Sequence, residues 1–211
     1  MRADDESRRG DITVRRGIPA GAGRRAAELY WEAFGRKLGP ALNPPEKAVA
    51  FLAAHLDPDR AVCALLDGEL VGLAGYQHAD RSATRATAAD VLRAYGWASA
   101  PRRLALLALL EHADAPGRLW LDSVAVAAGA RSLGIGSLLL KEVVTVALEL
   151  GCQEVRLDVI DVNPRARALY ERRGFIAVRT RRTPYLRTLM GFGAVTTMRR
   201  SLTASARHTR P

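Results

Sequence analysis

The chain has 211 residues, 48% of them apolar, which is enough for one substantial core and makes a single domain the default. A formal net charge of +10 admits an acidic partner, but aromatics are only 6% and no Arg/Lys run interleaves with them, so the sequence is read against a base-stacking nucleic-acid surface. Two cysteines do not make a disulfide scaffold, residues 1–10 carry no apolar signal core and Leu104 to Leu110 is too short to cross a bilayer, so a reduced, cytoplasmic protein away from membranes is expected.

Residues 1–10 are charged and are expected to be disordered, and Ile12-Thr-Val14 alternates as a first strand. Ala26, Leu29, Tyr30, Ala33 and Phe34 recur at three-four spacing, which predicts a helix over 22–37. Gly39-Pro40 should end it, because proline lacks a donor and glycine permits the turn. Pro44-Pro45-Glu46 opens a second helix that stops before Asp57-Pro58. Asp67-Gly68 between the apolar runs 61–66 and 69–76 is a hairpin signal, since a type I′ turn needs two positive φ angles. The stretch 80–117 is less regular, with helical patterns at 90–95 and 102–112 separated by Ser99-Ala-Pro101.

An apolar strand over 119–126, a helix over 134–150, a strand over 155–160 and a helix over 164–173 follow, an order that requires a right-handed parallel crossover. Asn163 suits the cap of the last helix, Pro164 its first position and Gly174 its left-handed stop. Strands over 175–182 and 194–200 close the sheet, with a loop at 183–192 that carries several apolar side chains. The chain from Ser201 is polar and basic and reads as a flexible tail, leaving 11–200 as the domain.

The most informative stretch is Arg131-Ser132-Leu133-Gly134-Ile135-Gly136-Ser137, between the strand at 119–126 and the long helix. Two glycines beside a first helical turn let the main chain approach a ligand without Cβ interference. The free amides and the positive end of the helix dipole then favour an anion, to which Arg131 adds its charge, so a pyrophosphate is the expected ligand. No Lys-Ser or Lys-Thr follows the glycines, as a P-loop needs. Leu139 stands where a Rossmann fingerprint would have its third glycine, and the first glycine comes eight residues after Val126.

The spacing instead fits Arg/Gln-x-x-Gly-x-Gly/Ala, and it is followed by Asn163-Pro-Arg-Ala166-Arg-Ala-Leu169-Tyr170-Glu-Arg-Arg-Gly174-Phe175. In both segments and their order the chain resembles the GCN5-related N-acetyltransferases (GNAT), clearly over 119–180 and by element order over 11–200. The resemblance implies an α/β (α+β) fold with a mixed, mostly antiparallel twisted sheet of six to seven strands. Its fourth and fifth strands would be parallel, helices would flank it, and 80–117 would be a helical insertion carrying substrate-specific structure or a homodimer contact. It also implies acetyl-CoA as acyl donor and an amine, of a small molecule or of a protein, as acceptor.

Acetyl transfer to an amine needs a held thioester carbonyl, a neutral amine and a proton for the departing thiolate. A lysine-like amine is neutral in only about one molecule in ~2,500 at pH 7, so a base helps. The resemblance puts Tyr170 beside the thioester sulfur as leaving-group acid; the alternative is a tyrosine on the packed face of a short helix. It implies that amides of Val124-Ala125-Val126 meet the carbonyl, that 131–137 take the pyrophosphate and that Ala166 lies along the coenzyme site. Asn163 has two compatible readings, helix cap and contact to the pantetheine arm. Asp122 is the base candidate, or else an aspartate paired with an arginine; Asp158 is a second candidate.

By the same resemblance, acceptor recognition falls on Tyr30, Trp31, Phe34, Arg36 and Lys37 and on Tyr185 and Phe192, unless these aromatics are core. Arg36 and Lys37 hint at an acidic feature in the substrate. The four histidines show no ligand spacing and read as surface or packing residues, and no metal-site pattern is present in the sequence. The rival to an acetyltransferase is a non-catalytic acyl-CoA-binding or regulatory protein with the same fold.

Overall fold

The computed structural model describes residues 11–79, 81–108, 115–184 and 187–202. Seven strands form one sheet: β1 (Ile12–Arg16), β2 (Ala61–Leu66), β3 (Glu69–Gln77), β4 (Arg118–Val126), β5 (Glu154–Ile160), β6 (Ile176–Arg182) and β7 (Ala194–Ser201). Their order is β1-β2-β3-β4-β5-β7-β6, antiparallel throughout except for β4 and β5. The mixed sheet implied by the resemblance is therefore present. Asp67 and Gly68, with φ of 51° and 84°, turn β2 into β3 as their sequence requires.

The helices are α1 (Gly23–Leu42), α2 (Pro45–His55), α3 (Ala88–Tyr95), α4 (Ala100–Ala108), α5 (Ile135–Glu149), α6 (Pro164–Arg172) and α7 (Arg187–Met190). Helix α5 packs against β1 to β5, burying Ile135, Leu139, Leu140 and Val143. Helix α1 packs against β3 and β4, and α2, α4 and α7 pack against α1.

Helix α1 departs from the sequence expectation, because it runs through Gly39 and Pro40 to Leu42. Packing outweighs the lost donor: Ala41 and Leu42 are both 2% exposed. The terminal carbonyls also find partners, which a helix end needs. The Tyr95 hydroxyl donates to Leu42 O at 2.7 Å, and the Arg103 guanidinium donates to Ala41 O at 2.5 Å. Arg103 lies 4.1 Å over the Tyr95 ring, so α3 and α4 are tied together onto the end of α1.

The chain entering α3 is stitched to the end of α2. Ala83 O accepts from Asp57 N at 2.9 Å, and His55 O accepts from Arg85 N at 2.7 Å. Asp57 is 1% exposed and receives Arg81 at 2.9 Å and Arg85 at 2.5 Å. The Arg85 and Arg81 guanidiniums hold this carboxyl down at about 2, against the desolvation that would raise it. No local sequence pattern joins residue 57 to residues 81 and 85. The two helices of the 80–117 stretch are thus fixed alongside α1 and α2.

Candidate active site

The site begins where two neighbouring strands part. Strands β4 and β5 pair from Arg118↔Glu154 to Leu121↔Leu157, and there the ladder ends. Beyond it β4 continues to Val126 on β3, and β5 continues to Ile160 on β7. The facing edges of 122–126 and 158–160 are released from each other, so main-chain groups in this fork can serve a ligand.

Asp122 stands at the fork on a β-bulge. Gly75 pairs with Ser123 and Tyr76 with Leu121, so β4 carries one extra residue there. A bulge re-aims a side chain. The bulge needs glycine on the partner strand: a Cβ at Gly75 would lie 2.6 Å from Ala83 Cβ and 2.8 Å from Ser123 Oγ. Ser123 Oγ accepts from Gly75 N at 3.1 Å, and Asp122 Oδ2 accepts from Ala83 N at 3.4 Å. Asp158, the first β5 residue past the fork, accepts from the Thr197 hydroxyl at 2.6 Å.

From Val126 the chain makes a 3-10 turn at Ala128–Ala130 and enters α5 through Gly134. Gly134 has φ 81°, and the helix has no side-chain cap. The first intrahelical bonds are donated by Ser137 and Leu138 to Gly134 O, so the preceding amides of Ile135 and Gly136 lie in the turn that the helix itself cannot satisfy. Nothing lies within 4 Å of a Cβ placed on Gly134, so open space borders these amides. Uncapped amides, open space and the helix dipole fit a diphosphate.

Arg131, which adds its charge to this turn, is held by partners within the protein. Its guanidinium donates to Val126 O at 3.2 Å and to Glu32 of α1 at 3.2 Å. With its side chain 56% exposed, that ion pair is screened and exchangeable. The rest of the motif, Ser132 and Leu133, leads into the turn, with Ser132 at φ 73°.

Helix α6 approaches the same turn. A Cβ on Gly136 would meet Leu169 Cδ2 at 3.0 Å, so the second glycine makes room for α6 rather than for a ligand. Asn163 Oδ1 accepts from Ala166 N at 3.2 Å, which is the helix-cap reading of that residue. Pro164 occupies the first turn, and Gly174 follows the helix at φ 82°. Tyr170 is buried, 6.0 Å from the Phe175 ring between centroids. Burial pushes its phenol up to about 12.

On the α1 side lies a cavity of about 500 Å³. Tyr30, Phe34, Lys37 and Leu38, at i, i+4, i+7 and i+8 of α1, line it together with Asp122. Trp31 falls off that stripe and instead folds back on its own helix, 3.1 Å from where a Gly35 Cβ would be. Arg36 is exposed and packs against Gly191, and Phe192 is buried in the core at 3% exposure. Tyr185 lies outside the described residues. Of the acceptor-side candidates, the structure brings Tyr30, Phe34 and Lys37 together with Asp122.

Burial raises the Tyr30 phenol, with the Asp122 charge adding to the effect. Burial lowers Lys37, while the charges of Asp158 and Asp122 oppose that shift. Lys37 is thus within electrostatic reach of the first residue past the fork on each strand. His55, read from the sequence as a surface or packing residue, lines the cavity, hydrogen-bonds Phe51 O through Nδ1 at 2.8 Å and lies 3.6 Å from Asp90. The remaining wall comes from α2 and from the 80–117 stretch, including Thr87, Val91, Leu104 and Leu107. Among the described residues no group of three or more His, Cys, Asp or Glu is placed to hold a metal ion.

A sequence profile of the acetyltransferase (GNAT) family matches residues 24–175, the span that holds the fork, the glycine turn, Tyr170 and most of the cavity wall. The chain belongs to that family. A thialysine N-epsilon-acetyltransferase from Bos taurus is 43% identical over 56 residues, which are 26% of this chain and 33% of the relative. The match thus spans about a third of that relative's length. The solved ribosomal-protein-S18-alanine N-acetyltransferase of Escherichia coli superposes with a TM-score of 0.58 at 16% identity, over 95% of this chain and 100% of that one. An N-acetyltransferase of Staphylococcus aureus Mu50 superposes with a TM-score of 0.61 at 13% identity, over 92% and 100%. At these identities the two structures share the fold.

Proposed function

We propose that the protein is an acetyl-CoA-dependent N-acetyltransferase that passes an acetyl group to a primary amine by direct attack within a ternary complex. The observation that carries this reading is one arrangement: the β4/β5 fork lies between an uncapped helix entrance with open space at Gly134 and a cavity that holds Asp122. The amides of 132–137 hold the coenzyme diphosphate, with Arg131 exchanging its contact with Glu32 for a phosphate. Asn163 and Ala166 border the pantetheine arm. Main-chain amides of Val124, Ala125 and Val126 take the thioester carbonyl as it gains negative charge.

The acceptor enters from the α1 side, against Tyr30 and Phe34. Asp122 accepts the proton that the ammonium must lose. The amine nitrogen then bonds to the carbonyl carbon, the nitrogen sheds its second proton to solvent, and the carbon–sulfur bond breaks as the oxyanion collapses. Tyr170 donates the proton that the departing thiolate takes; with its phenol raised to about 12 it is protonated at neutral pH, as an acid must be. Cys63 and Cys152 are buried, and neither lies in the glycine turn or beside Tyr170, so the reading uses no acetyl-cysteine intermediate.

The rival, a coenzyme-binding protein without turnover, is separated by one experiment. Acetyl-CoA binding is titrated while thiol release is followed over a panel of primary amines. Amine-dependent release is expected, and tight binding without release on any amine contradicts the proposal. For the compartment, the structure bears only on membranes: among the described residues no helix is long and apolar enough to cross one.

A further inference from the structure

The cavity beside Asp122 has a polarity that selects its guest. Its volume, about 500 Å³, is that of a small-molecule pocket. Lys37 of α1 and Asp122 both line it, within electrostatic reach of each other. Phe34, Leu38, Phe51, Val91 and Leu104, contributed by four helices, form its apolar wall. Polar groups of His55, Gln77, Ser82, Thr84 and Thr87 lie beside them. Helices α3 and α4 are fixed over it by Arg103, Tyr95 and the Asp57 clasp. The cavity is partly open, and its volume fits a compact molecule.

A compact guest that satisfies this wall presents a cation to Asp122, an anion to Lys37 and an apolar body to the aromatic and aliphatic side chains. We infer that the acceptor is a free α-amino acid with an apolar side chain of leucine or phenylalanine size, its amino group at Asp122 and its carboxylate at Lys37. The inference rests on the transferase reading above and narrows it. Lys37 then acts in specificity: it is half-buried, the charges of Asp158 and Asp122 already act on its ammonium, and a carboxylate on the acceptor adds a direct charge-assisted hydrogen bond. A bare amine adds no such hydrogen bond, and a peptide with a free N-terminus has no carboxylate at this position.

The test compares matched acceptors on the full chain with acetyl-CoA: L-phenylalanine, phenethylamine, L-phenylalanine amide, L-lysine and a tetrapeptide beginning with phenylalanine. L-phenylalanine should exceed phenethylamine and the amide in kcat/KM by roughly 10- to 100-fold, the range of one charge-assisted hydrogen bond. Lys37→Met should erase most of that ratio, and Lys37→Arg should restore part of it. Equal rates for phenylalanine and phenethylamine, a preference for the peptide, or a ratio that Lys37→Met leaves intact would overturn the inference while leaving a transferase in place. If acetyl-CoA binds and no amine turns over, the transferase reading fails. Calorimetry of phenylalanine against phenethylamine, in wild type and Lys37→Met, then decides the site, and binding indifferent to the carboxylate overturns it.

Discussion

Tyr170 carries the proton step in the proposed reaction, and its burial makes that role testable by pH. A phenol raised to about 12 stays protonated until well above neutrality, so its acid function is lost only as pH climbs toward that value. Wild-type kcat should therefore show no alkaline fall from this group up to about pH 10, the ordinary tyrosine pKa. Tyr170→Phe should lower kcat by about 100-fold, the lower range for a general acid, with the dissociation constant of acetyl-CoA unchanged. Steady-state kinetics beside a binding titration check both, and unaltered kcat in the variant removes Tyr170 from the mechanism. The tyrosine and its helix were legible in the sequence, because Asn163, Pro164 and Gly174 bracket it with local signals. Lys37 was reached only through the family resemblance, and His55 was not singled out, since their place in the cavity depends on how α1 and α2 meet the 80–117 stretch.

Two elements carry the rest of the account, and each has its own readout. At the α5 entrance, Gly134→Val puts a branched side chain on a left-handed residue, a strain of about 1–2 kcal/mol, with no protein atom in its way. A modest fall in melting temperature is expected, with a far larger loss of acetyl-CoA affinity, because the added atoms fill the space beside the first-turn amides. Normal affinity would discredit the diphosphate cradle. At the clasp between α2 and α3, Asp57 has a folded-state pKa of about 2, below its ordinary value of about 3.9. Its contribution is present above the unfolded value and lost as pH falls through the folded one. Urea midpoints should therefore drop between about pH 4 and pH 2 in wild type, and Asp57→Asn should lack that component. Because both guanidiniums are half in solvent, the cost at neutral pH should be about 1–3 kcal/mol, less than for a fully buried pair.

At the scale of the whole molecule, the strands, the β2/β3 hairpin and the glycine turn follow from local patterns (alternation, an Asp-Gly turn and helix caps), while the mixed sheet was implied by the family resemblance. Three features escaped those patterns for the same reason, that each is settled by contacts distant in the chain. Helix α1 passes Pro40 because Tyr95 and Arg103 supply partners for its last carbonyls. Asp122 is aimed by a register shift against β3 that no run of residues in β4 announces. The 80–117 stretch becomes a cavity wall through the Asp57 clasp rather than through its own periodicity. The coenzyme side and the acceptor wall are therefore separable. Arg103→Ala should cost about 1–2 kcal/mol, the worth of a lost charged hydrogen bond and ring contact, and speed proteolysis within 81–108. Acetyl-CoA affinity should not change; a parallel loss of affinity would join the two regions.

The most direct test is a crystal structure of the protein with coenzyme A bound. The diphosphate should lie within hydrogen-bond distance of amides in the 132–137 turn, and the thiol should end in the β4/β5 fork beside the Tyr170 hydroxyl. Coenzyme seated elsewhere, or a fork that stays closed to it while it binds, would contradict the proposed chemistry.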